Sequence, residues 1–240
     1  MKKINPTIIL VRPQLAENIG MTARAMDNFG LSKLSIVNPR DEWPNKKAQD
    51  SSKHGIKIIN NAKIYNNLKE AISSYNLVIA TSNRKRFLTK KTYNDFNILK
   101  KNVVDYDNVA ILFGPENSGL SNNDLRLASF IFAIPTAKKN KSINLSHAVT
   151  VLSHELFYLN SSKENLEKIV KSDKITKLEL SNFLDFLIND LDSKGFFNPI
   201  EKKDSMIDNI YSIYNKIDLS KKELKMLWGM HKKLKNPPKS

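Results

Sequence analysis

Apolar positions along the chain fall into two rhythms. Through the first two-thirds, short aliphatic runs alternate with stretches whose apolar side chains recur every three or four residues. The runs Thr7–Val11, Leu34–Val37, Lys63–Tyr65, Leu77–Thr81, Val109–Phe113 and 130–134 have strand length, and most are apolar throughout. Between them, 19–29 reads as a helix with Ile19, Ala23 and Met26 on one side. Residues 46–58 and 67–74 read as surface helices, and 145–159 as a long amphipathic helix. Continuously apolar strands suit a sheet covered on both faces, and alternation with helices suits parallel pairing. The predicted fold class is therefore α/β with a mainly parallel sheet.

The rhythm changes near residue 160, where the sequence turns polar (NSSKEN). Beyond it only helical patterns remain, over 177–192, 205–216 and 220–233, with a Gly195-Phe196-Phe197-Asn198-Pro199 break between the first two. The expected organisation is an α/β domain over 1–160, a linker over 161–175 and a helical extension over 176–240. So small an extension needs docking or dimerisation for stability. Its last residues, NPPKS, read as disordered, and no internal repeat is present.

Composition narrows the chemistry mainly by exclusion. Cysteine is absent, which removes disulfides, thiolate metal sites and cysteine nucleophiles. Four histidines remain without an HExxH pattern. His147 and His154 share one predicted helix and read as one exposed and one packed side chain, so no metal is expected. No apolar run approaches the roughly 18 residues of a membrane span. The basic start Met1-Lys2-Lys3 meets Asn5-Pro6 before any apolar signal segment, so a cytoplasmic protein is expected. None of the seven glycines falls in a GxGxxG or GxxxxGK[ST] pattern, and no GxSxG elbow occurs.

The net charge of +15 attracts polyphosphates. Residues 1–160 carry 23 Lys and Arg against 12 Asp and Glu, and residues 161–240 carry 16 against 12. The excess is mostly lysine, which an A/T-rich coding bias also produces, so charge alone leaves the partner open.

In parallel sheets, ligands meet the loops beyond the carboxyl ends of the strands. Four such ends are distinctive here. After the first strand come Asn18 and Arg24. Asn18 reads either as a helix N-cap or as a ligand contact; Arg24 either pairs with Asp27 one turn on or binds an anion. After Leu77–Thr81 come Thr81, Ser82 and Asn83, small polar groups, then the cations Arg84, Lys85 and Arg86, which suit a phosphate backbone or form a solvated charge run. After Val109–Phe113, Gly114 and Gly119 bracket Glu116, a lone carboxylate whose bland reading is a cap for the next helix. After Ile134-Pro135, a basic stretch with Lys138 and Lys139 leads to Ser142, Ile143 and Asn144, which either cap the last helix or hold an adenine by its edges.

Together these segments resemble, in order, the three motifs of the TrmH-like RNA 2′-O-methyltransferases of the SPOUT superfamily. The elements are Asn18…Arg24, Phe113-Gly114-Pro115-Glu116…Gly119-Leu120 and Ile134-Pro135…Ser142-Ile143-Asn144-Leu145-Ser146; Thr81-Ser82-Asn83-Arg84 is similar to the family's extra cofactor-loop segment. The helical extension, with Leu191…Gly195-Phe196-Phe197…Pro199 and Leu224…Leu227-Trp228-Gly229, resembles that of TrmJ-type tRNA methyltransferases, although it has lysines where that extension usually carries arginines.

The resemblance implies a trefoil-knotted homodimer that uses S-adenosylmethionine and no metal. It implies cofactor contacts from Thr81, Ser82, Asn83, Gly114, Glu116, Ile134, Ser142, Ile143 and Asn144. Arg24, Asn18, Glu116 and Ser142 would form the catalytic group, and Arg24, Arg84, Lys85, Arg86, Lys138 and Lys139 the RNA contacts. The expected reaction is ribose 2′-O-methylation of tRNA at nucleotide 32, the first of the anticodon loop. A ribosomal RNA target is the nearest alternative, and a non-catalytic RNA-binding protein the alternative of another class.

Overall fold

A computed structural model describes residues 5–84, 90–161 and 173–235. Seven strands form one sheet: β1 (Thr7–Val11), β2 (Leu34–Val37), β3 (Lys63–Tyr65), β4 (Leu77–Thr81), β5 (Thr92–Tyr93), β6 (Val109–Phe113) and β7 (Phe130–Phe132). Their order is β3-β2-β1-β6-β4-β7-β5, and every pairing is parallel. Leu10 lies opposite Ile36 on one side and Phe113 on the other. The four distinctive strand ends therefore belong to four adjacent strands, β1, β6, β4 and β7.

Alternate residues of each strand point to opposite faces. On one face Ile8, Leu10, Ile79, Ile111 and Phe113 pack under α1 (Ala16–Asn28), α5 (Phe96–Asp105) and α7 (Leu145–Ser161), which contribute Met26, Leu99, Val149 and Leu152. On the other, Ile9, Val11, Val78, Ala80 and Leu112 pack under α4 (Leu68–Ile72) and α6 (Asn122–Leu127) through Ala71, Ile72 and Leu125. All five residues of β1 and of β6 are buried, which explains their unbroken apolar runs.

Several predicted elements shift. Helix α1 starts three residues earlier than expected, at Ala16. The helix expected over 46–58 breaks into α2 (Lys46–Ser52), a 3-10 turn (Lys53–Gly55) and α3 (Ile56–Asn60). Close packing against α1 explains the break. A Cβ on Gly55 would lie 2.7 Å from the Ala23 carbonyl, so the chain must turn to lay bare backbone there, and Lys53 takes a left-handed φ of 51°. Strand β7 stops at Phe132, and α5, α6 and β5 lie outside the predicted elements.

The C-terminal helices are α8 (Lys177–Ser193), α9 (Lys203–Lys216) and α10 (Lys221–Lys235), joined by a core of Leu180, Phe183, Leu184, Tyr211, Leu219 and Leu224. They dock at the amino ends of β4 and β7, away from the four strand-end loops. The first amides of α8 donate to the sheet domain: Lys177 N–H to Tyr75 O (2.8 Å) and Leu178 N–H to Ser73 O (3.1 Å). Arg126 pairs with Asp208, Tyr106 donates to Asp218, and Asn76 donates to the carbonyls of Lys174 and Ile175. Most of the expected linker, and the last five residues expected to be disordered, lie outside the described residues.

Candidate active site

At the carboxyl ends of β1, β6, β4 and β7 the loops surround a cleft of about 260 Å³. Its floor is apolar, from Phe113, Ile134 and Leu145. Its rim is polar, from Thr81, Ser82, Asn83, Arg84, Glu116 and Ser142.

One relay of side chains ties the loops together. Glu116 accepts from the backbone N–H groups of Gln14 (2.8 Å) and Leu15 (3.3 Å), and from the Asn18 amide (2.8 Å). Its carboxylate therefore caps α1, the first helix of the chain and 98 residues from it at Asn18, while α6 is capped by Ser121 in a capping box with Asp124. The carboxylate read as a cap for the next helix caps a different one. Asn18 is the third residue of α1 and not its N-cap, and it is 2 % exposed. Its carbonyl oxygen accepts from the Asn144 amide (3.2 Å), and Asn144 in turn accepts from the Ser146 N–H and hydroxyl as the cap of α7. Motifs from three separate stretches of chain thus meet at Asn18.

The polar side chains after β4 bond mainly to neighbouring loops. The Thr81 hydroxyl donates to Leu112 O, and the Asn83 amide donates to Ile134 O and Lys141 O (both 3.0 Å), which closes the 134–141 loop. Arg84 donates to Asn117 O (2.8 Å) across the mouth of the cleft. Gly114 serves loop closure: a Cβ there would sit 2.2 Å from Leu120 N. Gly119 takes a left-handed φ of 67° in the same turn. Ser142 is exposed at the rim with no bonding partner among the described residues, and Ile143 lines the cleft beside it.

Arg24 stands apart. It is exposed on α1 and makes no pair with Asp27, whose carboxylate lies 4.0 Å from the His54 ring. Six residues along a helix place it about 120° around and about 9 Å beyond Asn18, so one chain does not bring the two together. Lys138 and Lys139 are exposed on the 133–144 loop, and Lys85 and Arg86 lie outside the described residues. His147 and His154 are both exposed, the latter edge-on to Phe29, so the expectation that one would be packed does not hold. No group of three or more His, Asp or Glu suited to a metal ion occurs among the described residues, and no helix there is long and apolar enough to cross a membrane.

Sequence reasoning missed the bidentate pairing of Arg12 with Asp124, whose partners lie 112 residues apart and carry no local signal. The Ser121-x-x-Asp124 capping box was a readable signal for α6.

Residues 5–154 match the SpoU rRNA methylase family. The chain belongs to that family. It is accordingly a methyltransferase, and family resemblance extends beyond the matched segment. A solved structure of TrmJ from Z. mobilis ZM4 superposes with a TM-score of 0.86 at 33% identity, covering 96% of this chain and 99% of that one. The tRNA (cytidine/uridine-2′-O-)-methyltransferase TrmJ of Sodalis glossinidius is 31% identical over 94% of this chain and 89% of its own. The SpoU methyltransferase AviRb of Streptomyces viridochromogenes, in complex with AdoMet, shares the fold at 20% identity, with a TM-score of 0.52 over 66% of this chain and 61% of that one.

Proposed function

We propose that this SpoU-family enzyme methylates a tRNA ribose 2′-oxygen, at nucleotide 32, using S-adenosylmethionine. The observation that carries the reading is the Glu116–Asn18–Asn144 relay beside the cleft, which joins the loops of β6, β1 and β7 around one pocket. The cleft fits such a cofactor. Phe113, Ile134 and Leu145 offer an apolar floor for a base, the rim offers hydroxyl and backbone groups for the polar ends, and Glu116, the one carboxylate lining it among the described residues, has both oxygens bonded. When bound, the cofactor supplies an electrophilic methyl group.

The chain's own task is to position the 2′-hydroxyl and help remove its proton. A guanidinium with pKa above 12 is a poor base. Arg24 instead clamps the adjacent phosphate and stabilises the emerging alkoxide. Asn18 orients the first turn of α1, Glu116 fixes that helix to the β6 loop, and the free Ser142 hydroxyl faces the substrate. Thr81, Ser82, Asn83, Gly114, Ile134, Ile143 and Asn144 shape the cofactor pocket. Arg84, Lys138 and Lys139, with Lys85 and Arg86, contact the RNA backbone.

A homodimer completes the site. Leu15, just before α1, Met21 on α1, and Val151, Phe157 and Tyr158 on α7 expose apolar side chains, and Met21 lies one turn from Arg24. Burying that patch against a second copy places Arg24 at the junction between protomers. The trefoil knot, the division into domains at about 160 and 176, and a cytoplasmic location belong to the same proposal.

Incubating the protein with S-adenosylmethionine and total RNA, then mapping ribose methylation, tests the reading. Methylation at nucleotide 32 of tRNA supports it. Methylation confined to ribosomal RNA moves the target to that molecule, in keeping with the family's name. Cofactor binding without any methylation favours a non-catalytic RNA-binding protein. Arg24→Ala should abolish transfer while dimer and cofactor affinity persist.

A further inference from the structure

Arg12, the residue directly after β1, takes a conformation that L residues rarely adopt, with φ at 50°. Its guanidinium reaches across to Asp124 in the first turn of α6. Arg12 Nη1 donates to Oδ1 (3.2 Å) and Nη2 to Oδ2. Asp124 is 5% exposed, and the same carboxylate accepts from the Ser121 N–H and hydroxyl (2.7 Å each). A buried carboxylate with a planar, two-pronged partner has a defined orientation as well as a satisfied charge.

The location of this pair matters more than its strength. The loop from Gly114 to Ser121 forms one wall of the cleft. At its start, Glu116 binds the backbone of Gln14 and Leu15. Past its end, Asp124 binds Arg12. Two carboxylates, one in the loop and one in the helix it leads into, therefore grip the β1–α1 connection on either side of Pro13. A single tie would let the loop pivot about Glu116, whereas two ties fix its angle to α1, which carries Asn18 and Arg24. Backbone strain at Arg12 is tolerated where the side chain has such a role.

We infer that Arg12 and Asp124 are a positioning pair that sets the β6–α6 loop against α1 and thereby fixes cofactor affinity. The inference rests on the S-adenosylmethionine reading of the cleft. Neither side chain lines the pocket, so each acts through the loop.

Calorimetric titration of the full chain with S-adenosylmethionine tests it. Arg12→Gly removes the side chain while relieving the backbone, and Asp124→Asn keeps the Ser121 cap while removing the charge. Each should raise the cofactor Kd about 10-fold, the scale of a lost charge-assisted bond. The double variant should be no more than about twofold worse than either single, since both lose one interaction. Arg12→Lys keeps the charge without the fork and should recover only part of the affinity. Singles that lower Tm but leave Kd unchanged would overturn the inference, as would effects that multiply in the double variant. Failure of the unaltered chain to bind S-adenosylmethionine would instead remove the cofactor reading, and this inference with it.

Discussion

The two ends of the central strands are held by different chemistry. At the carboxyl ends, the loops around the cleft are joined by amides, hydroxyls and backbone groups gathered about two anchored carboxylates, Glu116 as a helix cap and Asp124 in its pair with Arg12. At the amino ends, where the C-terminal helices dock, the junction is built from charges. Arg126 meets Asp208, Lys174 meets Asp218, and two lysine amines are turned inward. Lys90 donates to the carbonyls of Arg126 (2.8 Å) and Ala128, and Lys177 donates to Asn215. Burial, with the neighbouring Lys177 and Arg126 charges and against the pull of Asp208, drives the Lys90 amine down to about 6. Burial alone brings Lys177 to about 7. The carboxylates at the cleft end are met by N–H donors and a guanidinium, whereas the two inward amines at the junction lose water without gaining a carboxylate partner, so burial weighs against their charged form.

Four perturbations press on this contrast. The largest effect should come from Asn18→Ala, which cuts the relay in the middle. Methyl transfer should fall about 10²-fold, the scale of a misplaced reacting group, with the pH dependence of stability unchanged. An Asn18→Ala protein with normal turnover would show that the relay does not position the site. Next, Gly114→Ala forces a Cβ against Leu120 N and should cost about 3 kcal/mol in chemical denaturation. A cost near zero would mean that the loop has slack.

The third concerns the junction. Both lysines have folded pKa values below the ordinary 10.5, so between about 7 and 10.5 the unfolded chain holds more protons than the folded one. Stability should therefore rise with pH through that window, by about 1 kcal/mol per unit for each lysine. Below about 6 both states are protonated, and the full cost of burying the charges is present. Lys177→Met should flatten the slope measured by urea unfolding from pH 7 to 10; an unaltered slope would place its origin elsewhere. The smallest effect is expected at Gly229, which sits within α10 with open space around its missing side chain. Gly229→Ala should stabilise the C-terminal helices by about 0.5–1 kcal/mol, read as a small rise in Tm.

What the sequence made visible follows from locality. β1, β4 and β6 stand out because strands buried on both faces must be apolar throughout. The strand-end loops stand out because short polar residues and glycines cluster there. Helix α5 carried a readable spacing at Phe96, Leu99 and Val103, and α6 a capping box, whereas two-residue β5 carries no pattern at all. The relay through Asn18 joins residues 98 and 126 positions away, and its side chains serve equally well as caps when read in isolation. Lysine burial at positions 90 and 177 is invisible for a related reason. Nothing local distinguishes those two among the 33 lysines, since only the docking of distant elements removes their water.

The strand order also sets a timetable for synthesis. β1 lies between β2, which follows it closely, and β6, which begins at Val109. At about 5–20 residues per second, the far edge of β1 waits roughly 5–20 s for its partner to be made. During that interval Ile8, Ile9, Leu10 and Val11, all fully enclosed in the finished molecule, border an open edge. The nascent chain is thus most vulnerable to aggregation before residue 113 emerges, and slowing translation upstream of β6 should lower the yield of folded protein more than slowing it downstream.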